Sequence, residues 1–462
     1  MKLSFHGADR NVTGSCHMLE CAGKKILIDC GMYQGGRELV SENSEAFGFD
    51  PAQIDYLILT HAHLDHCGRI PLLVRRGFTG EIITTEATVE LARLVMMDSA
   101  GLQEEEARYQ QRKAQRRGKS VKDIEPLYNT IDVFDSLEHF GRRASYNKTI
   151  KLAEGIEITF INAGHILGAA SILFKLEENG RTHKLVFSGD IGYSGRAILN
   201  DPTPPPQVDT VVMETTYGDR LHKQLKPSIE ELYEAINETM RRGGNVIIPT
   251  FALERTQEIL YYLREGVEKG LIERYTNVFL DSPMAISATR IFQRHPECYN
   301  PETLKLSSDG NDPFDLPGLR FTRETAESMA INQIKGGAII MAGSGMCTGG
   351  RVRHHLRHNL WRNNCAVIFV GFAAHGTLAR RIVDGASVVK IFGEEIQVRA
   401  SIYTIGGFSA HADQAELLSW QQSARPKKTF LVHGEEDTMK IFAGKLNDTE
   451  VIMPALHQEY EL

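Results

Sequence analysis

The chain contains no Cys-x-x-Cys pair, and its seven cysteines (Cys16, Cys21, Cys30, Cys67, Cys298, Cys347 and Cys365) are an odd number. That argues against a thiolate zinc site and against a disulfide framework; single buried thiols in a reducing cytosol are expected. Long apolar runs are missing too, so no membrane-spanning segment and no membrane partner are expected. The start, Met-Lys-Leu-Ser-Phe-His-Gly, runs into a Gly/Asn/Thr loop instead of an apolar stretch, so a secretory leader is not expected and the location reads as cytoplasmic. Internal repeats and low-complexity segments are absent, which sets aside repeat architectures. There is no excess of positive charge: the net charge is −7, and composition alone does not announce a nucleic-acid binder. The charge is unevenly spread, however. Arg108, Arg112, Lys113, Arg116, Arg117, Lys119 and Lys122 fall in one stretch, and Arg351, Arg353 and Arg357 alternate with His354, His355 and His358 in another. A basic run of this kind reads equally as a solvated helix face.

What is present is a soluble composition of 462 residues, 42% hydrophobic, which is too long for one core and implies two or three domains. Residues 61–66 read His-Ala-His-Leu-Asp-His, directly after the apolar run Ile-Asp-Tyr-Leu-Ile-Leu-Thr at 54–60. Four metal-capable side chains thus follow a strand within six residues. His61 and His63 sit two apart and can converge on one ion through neutral ring nitrogens. Asp65 and His66 can turn toward a second ion. Other apolar runs also end on polar or glycine-rich residues: 184–190 ends at Asp190, 210–216 carries Glu214, and 428–435 carries His433. Each reads as a buried strand delivering a side chain at its C-terminal end, where α/β sheets build their sites. His165 lies in Asn-Ala-Gly-His-Ile-Leu-Gly, with glycine on both sides. Asp190 has two oxygens and is able to bridge two cations. Asp29, in Ile-Leu-Ile-Asp-Cys-Gly, is expected to orient the histidines from behind.

Segments 87–117 and 229–242 read as helices, and 201–206 (Asp-Pro-Thr-Pro-Pro-Pro) as a rigid surface turn. The middle of the chain alternates strands (245–250, 277–281, 337–342, 365–372) with helices, one of them from about Leu253 to Glu268. That pattern suggests βαβ units around a parallel sheet. Because His411 and His433 appear beyond it, the first domain is expected to be interrupted: 1–215, an inserted 216–395, and a return over 396–462.

The combination Asp29, His61-x-His63-x-Asp65-His66, His165 and Asp190 resembles the metallo-β-lactamase superfamily signature. Glu214 in Glu-Thr-Thr-Tyr-Gly-Asp-Arg, His411 in Phe-Ser-Ala-His-Ala-Asp and His433 in Leu-Val-His-Gly-Glu resemble the three further motifs of the β-CASP nucleases. This group includes the mRNA 3′-end cleavage endonuclease and the J-type ribonucleases. The resemblance covers nearly the whole chain. It implies an α/β fold, an αββα sandwich carrying an inserted α/β β-CASP cap domain. It also implies two zinc ions, one on His61, His63, His165 and Asp190, the other on Asp65, His66, Asp190 and His433, with Asp190 bridging. The imidazole/carboxylate set suits zinc and admits manganese. It implies hydroxide attack on a phosphodiester, with 5′-phosphate and 3′-hydroxyl products, and His411 as general acid held by Glu214. Asp65, His411 and Glu214 are the side chains it assigns to the chemistry. A histidine at 433, where DNA-directed relatives carry an apolar residue, favours single-stranded RNA.

Two glycine-rich stretches in the presumed cap follow strands: Ser344-Gly-Met-Cys-Thr-Gly-Gly-Arg351, and Gly376-Thr-Leu-Ala-Arg380 after His375. Ser344, Gly345, Thr348, Gly349, Arg351, Gly376, Thr377 and Arg380 are expected to grip the RNA backbone. Tyr217, Arg220 and Phe251 are expected to line the cleft through which RNA threads between lactamase-like domain and cap. His354 and His358, at i, i+4 with no carboxylate partner, read as an RNA-facing or exposed helix face. The rival readings are a thioester or lactone hydrolase of the same superfamily and an inactive RNA-binding subunit. The chain lacks a KH-type extension and a J-type C-terminal domain, which points to the compact bacterial type. A homodimer is compatible with it, and endo- or exonucleolytic mode is left open.

Overall fold

Strands with apolar side chains on both faces need a cover on each side, and the chain meets this need with two stacked sheets. The computed structural model describes all residues except Lys122, Asp123 and Phe372 and the side chains of Arg37 and Glu38. Lys122, the last cation of the first basic run, and Phe372, the end of the 365–372 strand reading, therefore lie outside the described residues. Two compact units are present: Met1–Ser194, Asp201–Leu221 and His411–Leu462 form one, and Gly195–Asn200 with His222–Ala410 the other.

In the first unit, one seven-stranded sheet runs Glu459–Glu461, Lys2–Phe5, His17–Cys21, Lys24–Ile28, Tyr56–Ile58, Glu81–Thr85, Phe140–Ala144. The other runs Glu450–Ile452, Lys428–Val432, Thr210–Glu214, Arg181–Phe187, Ala170–Glu178, Ile156–Asn162, Thr149–Ala153. Period-two alternation sorts their residues. Ile26, Ile28, Ile58 and Ile83 of the first sheet meet Ile158, Phe160, Ile172, Phe174, Leu185, Phe187, Val212 and Phe430 of the second in one buried cluster. The alternate residues Val186, Val211, Met213 and Leu431 point the other way. They are covered by Leu417 and Trp420 of helix Gln414–Ala424 and by Met439 and Phe442 of helix Glu436–Ala443. Leu27, Leu57 and Ile82 are also fully buried, so the first sheet too is covered on both faces. This is the helix–sheet–sheet–helix sandwich that the motifs implied.

The sequence-read helix 87–117 is Glu86–Arg116, capped by the Thr85 hydroxyl, which accepts from the Thr88 amide. The same two threonine hydroxyls donate to the Gly168 carbonyl at 2.8 and 3.0 Å, which pins the loop carrying His165. Arg108, Arg112, Lys113 and Arg116 of the basic run lie on the exposed end of this helix, where cations also complement the helix dipole. All seven cysteines are buried and free.

The second unit has a six-stranded parallel sheet in the order Leu319–Phe321, Asn277–Leu280, Ala338–Ala342, Val246–Pro249, Ala366–Val370, Ser401–Ile405. Four of these strands and helix Arg255–Glu268 fall where the apolar runs place them. Ser401–Ile405 is the parallel neighbour of Ala366–Val370, and the first unit resumes at His411.

Phe174 is fully buried between the two sheets, its ring centroid 5.7 Å from that of Phe187. Phe174→Ala is expected to cost about 3–5 kcal/mol, because the facing sheets cannot collapse into the space. Urea unfolding of the variant, read by circular dichroism, checks the value.

Candidate metal centre

Strand register gathers the site. Lys24–Ile28 and Tyr56–Ile58 run parallel with Ile28 beside Ile58, so Asp29 emerges next to Thr60 and the histidine run. In the second sheet Phe187 lies beside Val212, and Glu214 beside Val432. Asp190, Glu214 and His433 therefore leave the same sheet edge. Helix Leu64–Cys67 begins directly after His63 and turns Asp65 and His66 inward.

Seven residues converge into two groups. In the first, His63 Nδ1 lies 3.2 Å from His61 Nε2 and 3.1 Å from His165 Nε2. Asp190 Oδ2 is 3.4 Å from His61 Nε2 and 3.5 Å from His165 Nε2. The second group is Asp65, His66 and His433, with His433 Nε2 at 3.4 Å from Asp65 Oδ2. Asp190 reaches it with its other oxygen, Oδ1, at 3.3 Å from His66 Nε2 and 3.6 Å from His433 Nδ1.

These donors fit a cation pair on their own chemistry. His66 Nε2 and Asp190 Oδ1 are buried and make no hydrogen bond beyond their mutual 3.3 Å contact. Burial pushes His61 down to about 4 and His63 to about 3, and lowers His165 as well, so all three rings are neutral and offer lone pairs at pH 7. Burial opposes charge on His66 and His433 too, but the Asp190 carboxylate overrides it and holds both pKa values up. A cation entering there replaces those protons. Imidazoles and carboxylates without thiolate suit zinc.

Asp29 touches one of the histidines, His66. It accepts from the Thr60 amide and hydroxyl, both at 2.8 Å, and from His66 Nδ1 at 2.7 Å. Its φ of 60° and the 48° of His433 are left-handed values, uncommon for residues other than glycine and held here by the surroundings. Gly31 is required on steric grounds: a Cβ there would sit 1.6 Å from the Asp65 carbonyl oxygen. Thr60 also meets His61 Nδ1 at 3.1 Å, and the Thr216 hydroxyl meets His433 Nδ1 at 3.1 Å. Neither threonine stands out in the sequence, since a hydroxyl at a strand end has no spacing pattern of its own.

His411 lies beside the two groups, one-fifth exposed, in an antiparallel bridge with Gly192. Its Nδ1 is 3.1 Å from both oxygens of the fully buried Glu214. Glu214 is itself fixed by the Ile191 amide at 2.6 Å. Burial pushes the His411 ring down, but the Glu214 carboxylate outweighs it and raises the pKa to about 9. The Tyr217 ring centroid is 6.1 Å from that of His411, and Arg220 lies over Tyr217.

In the second unit the two glycine-rich stretches touch. The Met346 carbonyl accepts from the Ala379 amide at 3.2 Å, and Met346 sulfur from the Ala374 amide at 3.3 Å. Ser344 Oγ and Thr348 Oγ1 are 3.4 Å apart, and the Gly349 amide donates to Ser344 Oγ. Thr377 caps helix Leu378–Val383, and Gly376 takes a φ of 79° before it. Arg380 pairs with Asp384 at the surface, a contact of little energy. Arg351 is tied down: it donates to Asp281 at 2.7 Å and to the Thr322 and Arg323 carbonyls. Asp281 is fully buried, and burial opposes its charge. Hydrogen bonds from His355, Ser328, Thr322 and Arg351 nevertheless hold it at about 2. This network was not visible in the sequence, where His355 sits among other histidines. His354 and His358 are exposed, with His354 against the Phe392 ring.

Three family profiles match the chain. The Metallo-beta-lactamase superfamily profile matches residues 10–250 and the Beta-Casp domain profile residues 256–382. The Zn-dependent metallo-hydrolase RNA specificity domain profile matches 395–454. The chain is 39% identical over 446 residues to Ribonuclease TTHA0252 of Thermus thermophilus, covering 96% of each protein. It is 31% identical over 454 residues to Transcription termination factor FttA of Methanocaldococcus jannaschii, covering 96% of this chain and 68% of that one. An RNase J-like protein of the same organism is 31% identical over 445 residues, covering 96% of this chain and 94% of that one. Among solved structures, a protein of unknown function from Enterococcus faecalis aligns with a TM-score of 0.58 at 13% identity, over 100% of this chain and 99% of that one, a likeness of fold alone. The chain belongs to the β-CASP family of metal-dependent hydrolases within the metallo-β-lactamase superfamily.

Proposed function

We propose that this protein is a zinc-dependent ribonuclease that hydrolyses single-stranded RNA to 5′-phosphate and 3′-hydroxyl ends. The observation that carries the reading is the convergence of seven donors, five of them buried and two half-buried, beside a carboxylate-held histidine. His61, His63, His165 and Asp190 would hold one zinc; Asp65, His66, Asp190 and His433 would hold the other. The chemistry such a pair supplies is Lewis acidity, which makes a water acidic enough to attack phosphorus near neutral pH and offsets charge on the phosphoryl oxygens.

The chain's own residues do the rest. Asp29 holds His66 through Nδ1, so that Nε2 faces Asp190. Glu214 holds His411 through Nδ1 and keeps the ring protonated, which leaves Nε2–H to give a proton to the departing 3′-oxygen. The Ser344–Arg351 and Gly376–Arg380 stretches hold the RNA backbone. The names of the relatives from Thermus and Methanocaldococcus support an RNA substrate. Seven free thiols suit a reducing cytoplasm. An inactive RNA-binding subunit is disfavoured because all the donor positions are filled by ligating residue types.

Zinc-loaded protein is expected to cleave 5′-labelled single-stranded RNA and to leave thioesters and lactones intact. A chelator or His63→Ala is expected to abolish cleavage; RNA products that persist through either would defeat the mechanism. His411→Ala is expected to lower kcat about 10²–10⁴-fold with zinc content unchanged, as elemental analysis can check. Glu214→Gln removes the charge that raises the His411 pKa, so the alkaline limb of the kcat–pH profile is expected to move to lower pH. Asp29→Ala is expected to weaken zinc binding about 10–100-fold, measured by competition with a chromophoric chelator.

A further inference from the structure

Phe251 follows strand Val246–Pro249 at the C-terminal edge of the parallel sheet and is 46% exposed, although it is a large apolar ring. It does not float free. Its carbonyl accepts from the Thr256 hydroxyl at 2.6 Å, which fixes the backbone beneath it. The ring leans on the glycine loop: a Cβ built on Gly345 would meet ring atoms of Phe251 at 2.8, 3.0 and 3.1 Å. Only glycine lets the ring approach the loop this closely. Next to the ring, the consecutive amides of Gly345 and Met346 have no hydrogen-bond acceptor among the described residues, while the flanking amides of Ser344 and Cys347 bond within the loop. Consecutive backbone donors left open in this way are suited to an anion.

An aromatic face in water beside a pair of open amides matches one repeating unit of a nucleic-acid strand, a base and its phosphate. We infer that Phe251 is a base-stacking platform, taking the base of the nucleotide whose phosphate lies on the Gly345 and Met346 amides. This rests on the ribonuclease reading above and adds a subsite to it. The base is held by its π-face, which all four bases share, so the subsite grips RNA without reading sequence. The ring is a binding group and touches none of the reacting atoms.

Binding of fluorescein-labelled single-stranded RNA is measured by anisotropy on zinc-loaded protein in a His411→Ala background, where turnover is slow. Cleavage kinetics are measured with residue 411 intact. Phe251→Ala is expected to raise Kd about five- to a hundredfold and to raise KM more than it lowers kcat. Phe251→Tyr is expected to bind within about twofold of Phe, because the π-face is kept. Phe251→Leu fills the space over Gly345 but has no π-face, and is expected to bind as Ala does. On an oligomer of abasic ribose phosphate, all four proteins are expected to bind alike. Binding by Leu equal to that by Phe, or an unchanged Kd in Phe251→Ala, overturns the platform while leaving the ribonuclease reading intact. A protein with Phe251 that neither binds nor cleaves RNA overturns both.

Discussion

The structure depends on keeping unpartnered donor atoms at the ends of buried strands. A buried polar atom without a partner costs about 1–3 kcal/mol, and a protein of ordinary stability has only about 5–15 kcal/mol in total. His66 Nε2 and Asp190 Oδ1 make no hydrogen bond beyond their mutual ionic contact at 3.3 Å, and they are set among imidazoles whose nitrogens face one another at 3.1–3.2 Å. Facing lone pairs repel, and neutral rings can bridge them with only one proton per ring. A divalent cation removes both difficulties at once, since it accepts every lone pair and neutralises the carboxylates. The sandwich makes the arrangement tolerable by fixing the donors from behind. Asp29 and Thr60 occupy the outward nitrogens of His66 and His61, Thr216 steadies His433 at Nδ1, and the packed sheets prevent the strands from separating to admit bulk water.

One residue type is used in two opposite ways within this small volume. His61, His63 and His165 are driven neutral by burial, which suits a ligand. His411 is also pushed down by burial, yet it faces a carboxylate with both oxygens at 3.1 Å and comes out protonated, which suits a proton donor. The difference lies in the neighbour, since each ring is surrounded by protein. Glu214 can serve this purpose because its own strand ends between those that deliver Asp190 and His433.

Much of this was legible because of where chemistry falls on short strands. The run from His61 to His66 is local, so its chemistry survives in one dimension. Asp29, Asp190, Glu214 and His433 are far apart in sequence, but each ends an apolar run, and parallel pairing turns that shared position into a shared edge. The threonines escaped notice because a hydroxyl becomes a second layer only through its three-dimensional neighbours. The Asp281–His355–Arg351 network escaped for a related reason. Asp281 follows a strand just as the site carboxylates do, and only the packing of helix Val352–Asn359 shows that it is spent on internal bonds. The edge strands Leu319–Phe321 and Ser401–Ile405 are short and half-exposed, so their apolar pattern is too weak to read.

That network also bears on how a chain of net charge −7 holds a polyanion. Arg351, the cation of the first glycine loop, is neutralised by a buried aspartate and by backbone carbonyls. Arg380, in the second loop, shares its charge with Asp384 at the surface. Long-range attraction from these loops is therefore small, and what they present at short range is uncharged: open amides, hydroxyls of Ser344 and Thr348, and the face of Phe251. Contacts of this kind release few counterions, so their strength depends weakly on salt, whereas a lysine-lined groove loses affinity steeply. They also act only at close range on a strand whose bases are unstacked, which a duplex does not offer. On the proposed reading, a preference for single strands would come from donors and an aromatic surface in the second unit, with no excess of positive charge in the composition.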